Sequence, residues 1–202
     1  MNNPTIWTIN GIHDSRIGTT ALLAQKLKEC GLPVGEIVYD PVSAREANKR
    51  AKVVQIGKII KNHAKNGDWI IGHSAAGNFI HEACRRNQFN YVKFDTIILF
   101  APAMDMTIDW HNNAFNHHYT ICNPYDLANT WGALIPNHRF GRAGKYGFEY
   151  ELSESYRMNT ITDADFGGRW NHSNWFRKKL WKWYPQVNHM YREQHIVNDD
   201  GA

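Results

Sequence analysis

Along the first hundred residues, unbroken apolar runs alternate with stretches in which apolar side chains recur every three or four positions. Thr5 to Asn10, Val34 to Tyr39, Asp68 to Ile71 and Phe94 to Phe100 are short, apolar and bounded by turn residues, which predicts strands. Thr19 to Cys30 carries Leu22, Leu23, Ala24, Leu27 and Cys30 at helical spacing and stops at Gly31 and Pro33. Ala44 to Lys65 predicts one longer helix, with Val53, Ile56, Ile60 and Ala64 as its apolar stripe and Arg50, Lys52, Lys58, Lys61 and Lys65 toward water. Asn78 to Arg86 reads as a third helix. Tyr119 to Cys122 and Met158 to Thr162 supply a short fifth strand and a sixth. Strands that are apolar on both faces and separated by helices predict an α/β fold. The expected architecture is a doubly wound, mostly parallel sheet of about six strands with helices on both faces.

Ligands on such sheets bind beyond the carboxyl ends of the strands, so those loops carry the candidate chemistry. After the third strand comes Gly72-His73-Ser74-Ala75-Ala76, the G-x-S-x-G pattern with Ala in the last place. A serine at a tight strand-to-helix turn is held with its hydroxyl exposed over a helix N-terminus, the geometry of a nucleophile elbow. The flanking positions must be small because the strained turn brings strand and helix together. The pattern alone arises by chance in roughly one chain of this length in seven, and a serine N-cap is the plain reading. The neighbouring loops therefore decide its weight. After the first strand, Asn10-Gly11-Ile12 is a glycine turn whose Ile12 amide pairs with that of Ala75 as a candidate oxyanion hole. After the fifth, Asn123-Pro124-Tyr125-Asp126 presents a carboxylate suited to orienting a histidine, with Asp105 as its competitor and Asp163 and Asp165 as weaker ones. After the sixth, a glycine-rich loop carries His172 into a terminal apolar stripe.

Length and composition narrow the class. The 202 residues fit one domain, 1–202, and the formal charge of +4 is too modest to imply a nucleic-acid partner. Three cysteines (Cys30, Cys84 and Cys122) lack metal-site spacing and read as buried free thiols. With Met1-Asn2-Asn3-Pro4 showing no basic region before an apolar run, a cytoplasmic location is expected. His111, His117 and His118 cluster in sequence, but adjacent histidines on a strand face opposite ways, so no metal site is expected. Asn129 to Tyr156 is a long insertion and a candidate lid. The run 175–184 mixes aromatic and basic residues; a helix there packs Phe176, Leu180, Trp183 and Tyr184 on the core, with weak membrane-surface contact as the rival reading.

Taken together, the glycine turn Asn10-Gly11-Ile12, the elbow Gly72-His73-Ser74-Ala75-Ala76, the acid loop Asn123-Pro124-Tyr125-Asp126 and His172-Ser173 resemble the α/β-hydrolase superfamily in content and order. The resemblance covers most of residues 5 to 185. Asn10 stands where that family commonly has His, Ala76 replaces Gly, and the first two strands of the full fold are missing, which makes this a minimal version. The resemblance implies a serine hydrolase of the carboxylesterase or lipase kind. Ser74 would be its nucleophile, His172 its base, Asp126 the orienting acid, and the Ile12 and Ala75 amides the oxyanion hole. It implies a small-molecule or lipid-like acyl substrate and neither cofactor nor metal. Two rivals stay open: an inactive hydrolase-like binding scaffold, and an esterase working at a lipid surface.

Overall fold

The computed structural model describes residues 3–12, 19–85, 91–110, 114–124, 126, 141–146, 148, 157–162, 176 and 180–195, with 19 and 157–162 through their backbone. The strands are β1 (Ile6–Ile9), β2 (Val34–Ile37), β3 (Trp69–His73), β4 (Phe94–Phe100), β5 (Phe115–Cys122) and β6 (Arg157–Thr162). They form one sheet in the order β2-β1-β3-β4-β5-β6. Every pairing is parallel. Helices α1 (Thr19–Glu29), α2 (Ala44–Ala47), α3 (Arg50–His63), α4 (Ala76–Cys84), α5 (Ala143–Tyr146) and α6 (Leu180–His195) complete the described elements.

Alternation along the central strands sends side chains to two separate cores. Ile70, Ile97 and Leu99 enter one with Val53, Ile56, Ile60 and Phe79 of α3 and α4. Trp69, Ile71, Ile98 and Phe100 enter the other with Leu23 and Leu27 of α1 and Trp183, Val187 and Tyr191 of α6. Both sheet faces are thus covered, which is the α/β class expected from strands apolar on both sides. Chain order reverses beside β1: β2 lies on one side of it and β3 on the other. The loops leaving β1 and β3 diverge there, at the topological switch point where such sheets open a binding crevice.

Local chemistry explains the element ends. Gly31 takes φ +81. There the Leu32 amide bonds Leu27 O at 3.1 Å and the Gly31 amide Lys28 O at 2.9 Å, closing α1 with a left-handed glycine cap. The single helix expected over 44–65 is instead two. Ser43 and Glu46 form a reciprocal capping box that starts α2, and Lys49 is extended (φ −74, ψ 128) before α3 begins. This break sets the buried stripe Val53, Ile56, Ile60 independently of Ala47. β5 is longer than expected and includes His117 and His118.

The terminal stripe Phe176, Leu180, Trp183 and Tyr184 packs on the second core, leaving Trp181 exposed. α6 runs on through Pro185 to His195. The missing Pro185 N–H costs the helix one bond, while Trp183, Val187 and Tyr191, spaced four apart, keep burying apolar surface. Cys84 and Cys122 are buried thiols as expected, but Cys30 is half-buried; none of the three is in a disulfide. Among the described residues, no helix is long and apolar enough to cross a membrane.

Candidate active site

Ser74 directly follows β3 at φ +58, a left-handed conformation rare for a residue with a Cβ. Its neighbours hold it there. The Ser74 amide donates to Phe100 O at 3.0 Å, prolonging the ladder to β4, and the Ala103 amide donates back to Ser74 O at 3.0 Å. Asn78 Nδ2 on α4 donates to Ala103 O at 2.8 Å, tying the same turn to the helix. Ala101 has φ +44, so the loop leaving β4 shares the strain.

The need for small residues around the serine is visible in the packing. A Cβ on Gly72 would lie 2.6 Å from Ile80 Cδ1 and 3.3 Å from both Ala76 Cβ and Leu99 Cδ2. The glycine turn after β1 is also tight, and against backbone. A Cβ on Gly11 would stand 2.8 Å from His73 O, 2.9 Å from Ser74 Cβ and 3.0 Å from Ala75 N. The backbone of Gly11 therefore lies against the elbow, and Ile12, the next residue, follows directly beside it. Register explains the approach: Ile9, the last residue of β1, pairs with Gly72, one residue before the end of β3.

Two further side chains anchor this turn. Asn10 is buried, and its Oδ1 accepts from the Thr20 amide at 3.0 Å, holding the turn to the start of α1. The Tyr39 hydroxyl lies 2.6 Å from Asn10 O and 2.5 Å from Gly11 O, donating to these carbonyls. Its ring meets Phe79 of α4 edge-on at 5.7 Å. Sequence reasoning read Tyr39 only as the end of a strand. Its place just after β2, the strand beside β1, was the available signal.

Asp126 is fully buried beyond β5, and its amide donates to Asn123 O at 3.0 Å in a tight turn. The Asn123 amide in turn donates to Gly144 O at 3.0 Å, and the Ala143 amide to Met104 O at 3.1 Å. Within the insertion 129–156, α5 is thereby docked on the loops after β4 and β5. Asp105 is exposed, and its Oδ1 accepts from the Thr107 amide and hydroxyl at 3.0 and 2.9 Å. It faces a cavity beside α3 and α4, lined also by Arg50, Glu82 and Arg85 and by none of Ser74, Ala75, Ile12 or Asp126. His172, Asp163 and Asp165 lie outside the described residues. Four positions after His172, Phe176 is fully buried edge-on against His73 at 5.9 Å and against Phe100 at 4.8 Å.

His118 is buried among Trp110, Phe115 and Phe148, with ring centroids 5.1 to 5.5 Å apart. Burial pushes its pKa down to about 3, and neither ring nitrogen has a hydrogen-bond partner. His111 lies outside the described residues. Among the described residues, no three of His, Cys, Asp and Glu are grouped to hold a metal ion.

No family model matches the chain, and no curated protein matches it in sequence. Two solved structures are similar to it in backbone. A protein described as a YdeN-like hydrolase from Pectobacterium atrosepticum is 13% identical over 94% of this chain and 92% of that one, with a TM-score of 0.43. The product of the gene lin2722 from Listeria innocua is 10% identical over 88% of this chain and 95% of that one, with a TM-score of 0.46.

Proposed function

We propose that this protein is a serine hydrolase that cleaves a carboxylic ester, thioester or amide through an acyl-enzyme on Ser74. The observation that carries the reading is the φ of +58 at Ser74, between a buried parallel strand and a helix, with the Gly11 turn against it. A residue with a Cβ is kept in that conformation when the surrounding structure over-determines it, and such strain clusters at functional sites.

In this reading Ser74 Oγ attacks the acyl carbon, and His172 takes its proton and delivers it to the leaving group. The Ile12 and Ala75 amides bind the oxyanion. Water activated by His172 then releases the acid and restores Ser74. Asp126 is the group that orients His172. Its burial keeps it from solvent, whereas Asp105 is exposed and occupied by Thr107. β3 and β5 are two strand spacings apart, about 10 Å, a gap that inward-reaching side chains and one imidazole would bridge. The burial of Phe176 on His73 supports a return of the chain after His172 toward the elbow. Residues 1–202 act as one domain, and the substrate is a small or lipid-like acyl compound.

The test is covalent labelling with a fluorophosphonate probe. Wild-type protein should label once, and Ser74→Ala should abolish the label. Labelling that survives the substitution puts the nucleophile elsewhere, and a wild type that never labels favours the inactive scaffold.

A further inference from the structure

The Tyr39 hydroxyl is the feature of the site that the reaction as proposed leaves unused. It stands within hydrogen-bond distance of two successive carbonyls, Asn10 O and Gly11 O, and it has one proton to share between them. Each carbonyl belongs to the same planar unit as the next residue's amide, and in a trans peptide the two point in opposite directions. A donor that holds Gly11 O therefore also sets the direction of the Ile12 N–H, away from Tyr39. Holding Asn10 O does the same for the Gly11 amide. Gly11 is the residue on which a Cβ would stand 2.9 Å from Ser74 Cβ and 3.0 Å from Ala75 N. The same residue is thus held by Tyr39 through its carbonyl and packed against the elbow through its α-carbon.

We propose that Tyr39 is the positioning residue of the oxyanion hole, its hydroxyl fixing the peptide plane from which the Ile12 amide addresses the developing negative charge. The proposal rests on the serine-hydrolase reading above. Its energetic logic is preorganisation: a donor helps the transition state only if it is already aimed when charge develops. A glycine turn is the backbone least able to hold such an aim by itself, because Gly11 lacks the Cβ that narrows its choices. Asn10 Oδ1 pins the turn to α1 from one side. Tyr39 pins it from another, and its ring rests edge-on against Phe79 of the helix that follows Ser74. One half-buried side chain thereby references the oxyanion turn to the elbow helix.

Tyr39→Phe removes a single oxygen and keeps the ring contact with Phe79. With p-nitrophenyl acetate as substrate, we expect kcat per active site to fall about 10- to 100-fold with KM little changed. Active sites are counted by fluorophosphonate labelling. The inhibition constant of phenylboronic acid, whose serine adduct carries a tetrahedral oxygen anion, should rise by a similar factor. Tyr39→Leu, which also removes the ring, should lose at least as much kcat. A purely structural Tyr39 would lower the number of labelled sites while leaving kcat per site and boronate inhibition at wild-type values. That result in either variant overturns the proposal. Labelling that persists in Ser74→Ala would instead overturn the hydrolase reading beneath it.

Discussion

Gly11 and Gly72 both pack closely about Ser74, and their environments predict different tolerances. The Cβ of Gly11→Ala would meet backbone atoms, His73 O at 2.8 Å and Ala75 N at 3.0 Å, which cannot rotate away. The Cβ of Gly72→Ala meets Ile80 Cδ1 at 2.6 Å, the far end of a flexible side chain. Gly11→Ala should therefore be the more damaging, at about 1–3 kcal/mol of stability, and should lose most labelling by the fluorophosphonate. Gly72→Ala should keep the label. Urea unfolding with labelling of both variants checks the ranking, and equal losses would show that the turn is not packed on the elbow. The requirement for small residues at 72 and 76 was legible in the sequence, because the pattern states it. The closeness of Gly11 was not, since it depends on β1 and β3 becoming neighbours across sixty residues.

At the scale of elements, the docking of α6 makes a pH-dependent contact. The Trp69 indole N–H donates to His195 Nε2 at 2.9 Å, which requires that nitrogen to be unprotonated. Burial lowers the His195 pKa, and Asp95, with Oδ2 at 3.9 Å, opposes this. The Tyr191 ring packs on the same imidazole at 4.8 Å. A histidine whose folded pKa lies below its unfolded value, about 6.5, contributes stability that is present above that value. The contribution is lost as pH falls toward the folded pKa. Urea midpoints should therefore drop between pH 7.5 and 5.5, and His195→Gln should lessen the drop over that window, leaving the share of His118, whose pKa burial also holds down. An unchanged slope in the variant would mean that another group governs it.

The apolar stripe that brings α6 onto the sheet was readable through Tyr184, but its continuation was not. Pro185 signals an end locally, and only the burial of Val187 and Tyr191 against β3 and α1 overrides it. The break between α2 and α3 is the converse case. Helical spacing runs on through 44–65, yet the Ser43–Glu46 box and the extended Lys49 set two separate starts.

For the whole molecule, the two cores lie on opposite faces of one sheet and share its strands. Trp110 reports on one face and Trp69 and Trp183 on the other. A single domain should lose both together. Tryptophan fluorescence and the capacity for fluorophosphonate labelling should fall in one coincident urea transition, and separate midpoints would divide the chain into independent units. The class of the fold followed from the sequence because strands apolar on both faces need covering on both sides, and that demand is local and periodic. The candidate serine followed too, because a strand-to-helix turn with small flanks is written in consecutive residues. The tertiary structure alone decided the strand order that puts the β1 and β3 loops at one switch point, the contact of Gly11 with the elbow, and the reach of the Tyr39 hydroxyl to two carbonyls. These depend on distances between segments far apart in the chain, which no local periodicity encodes.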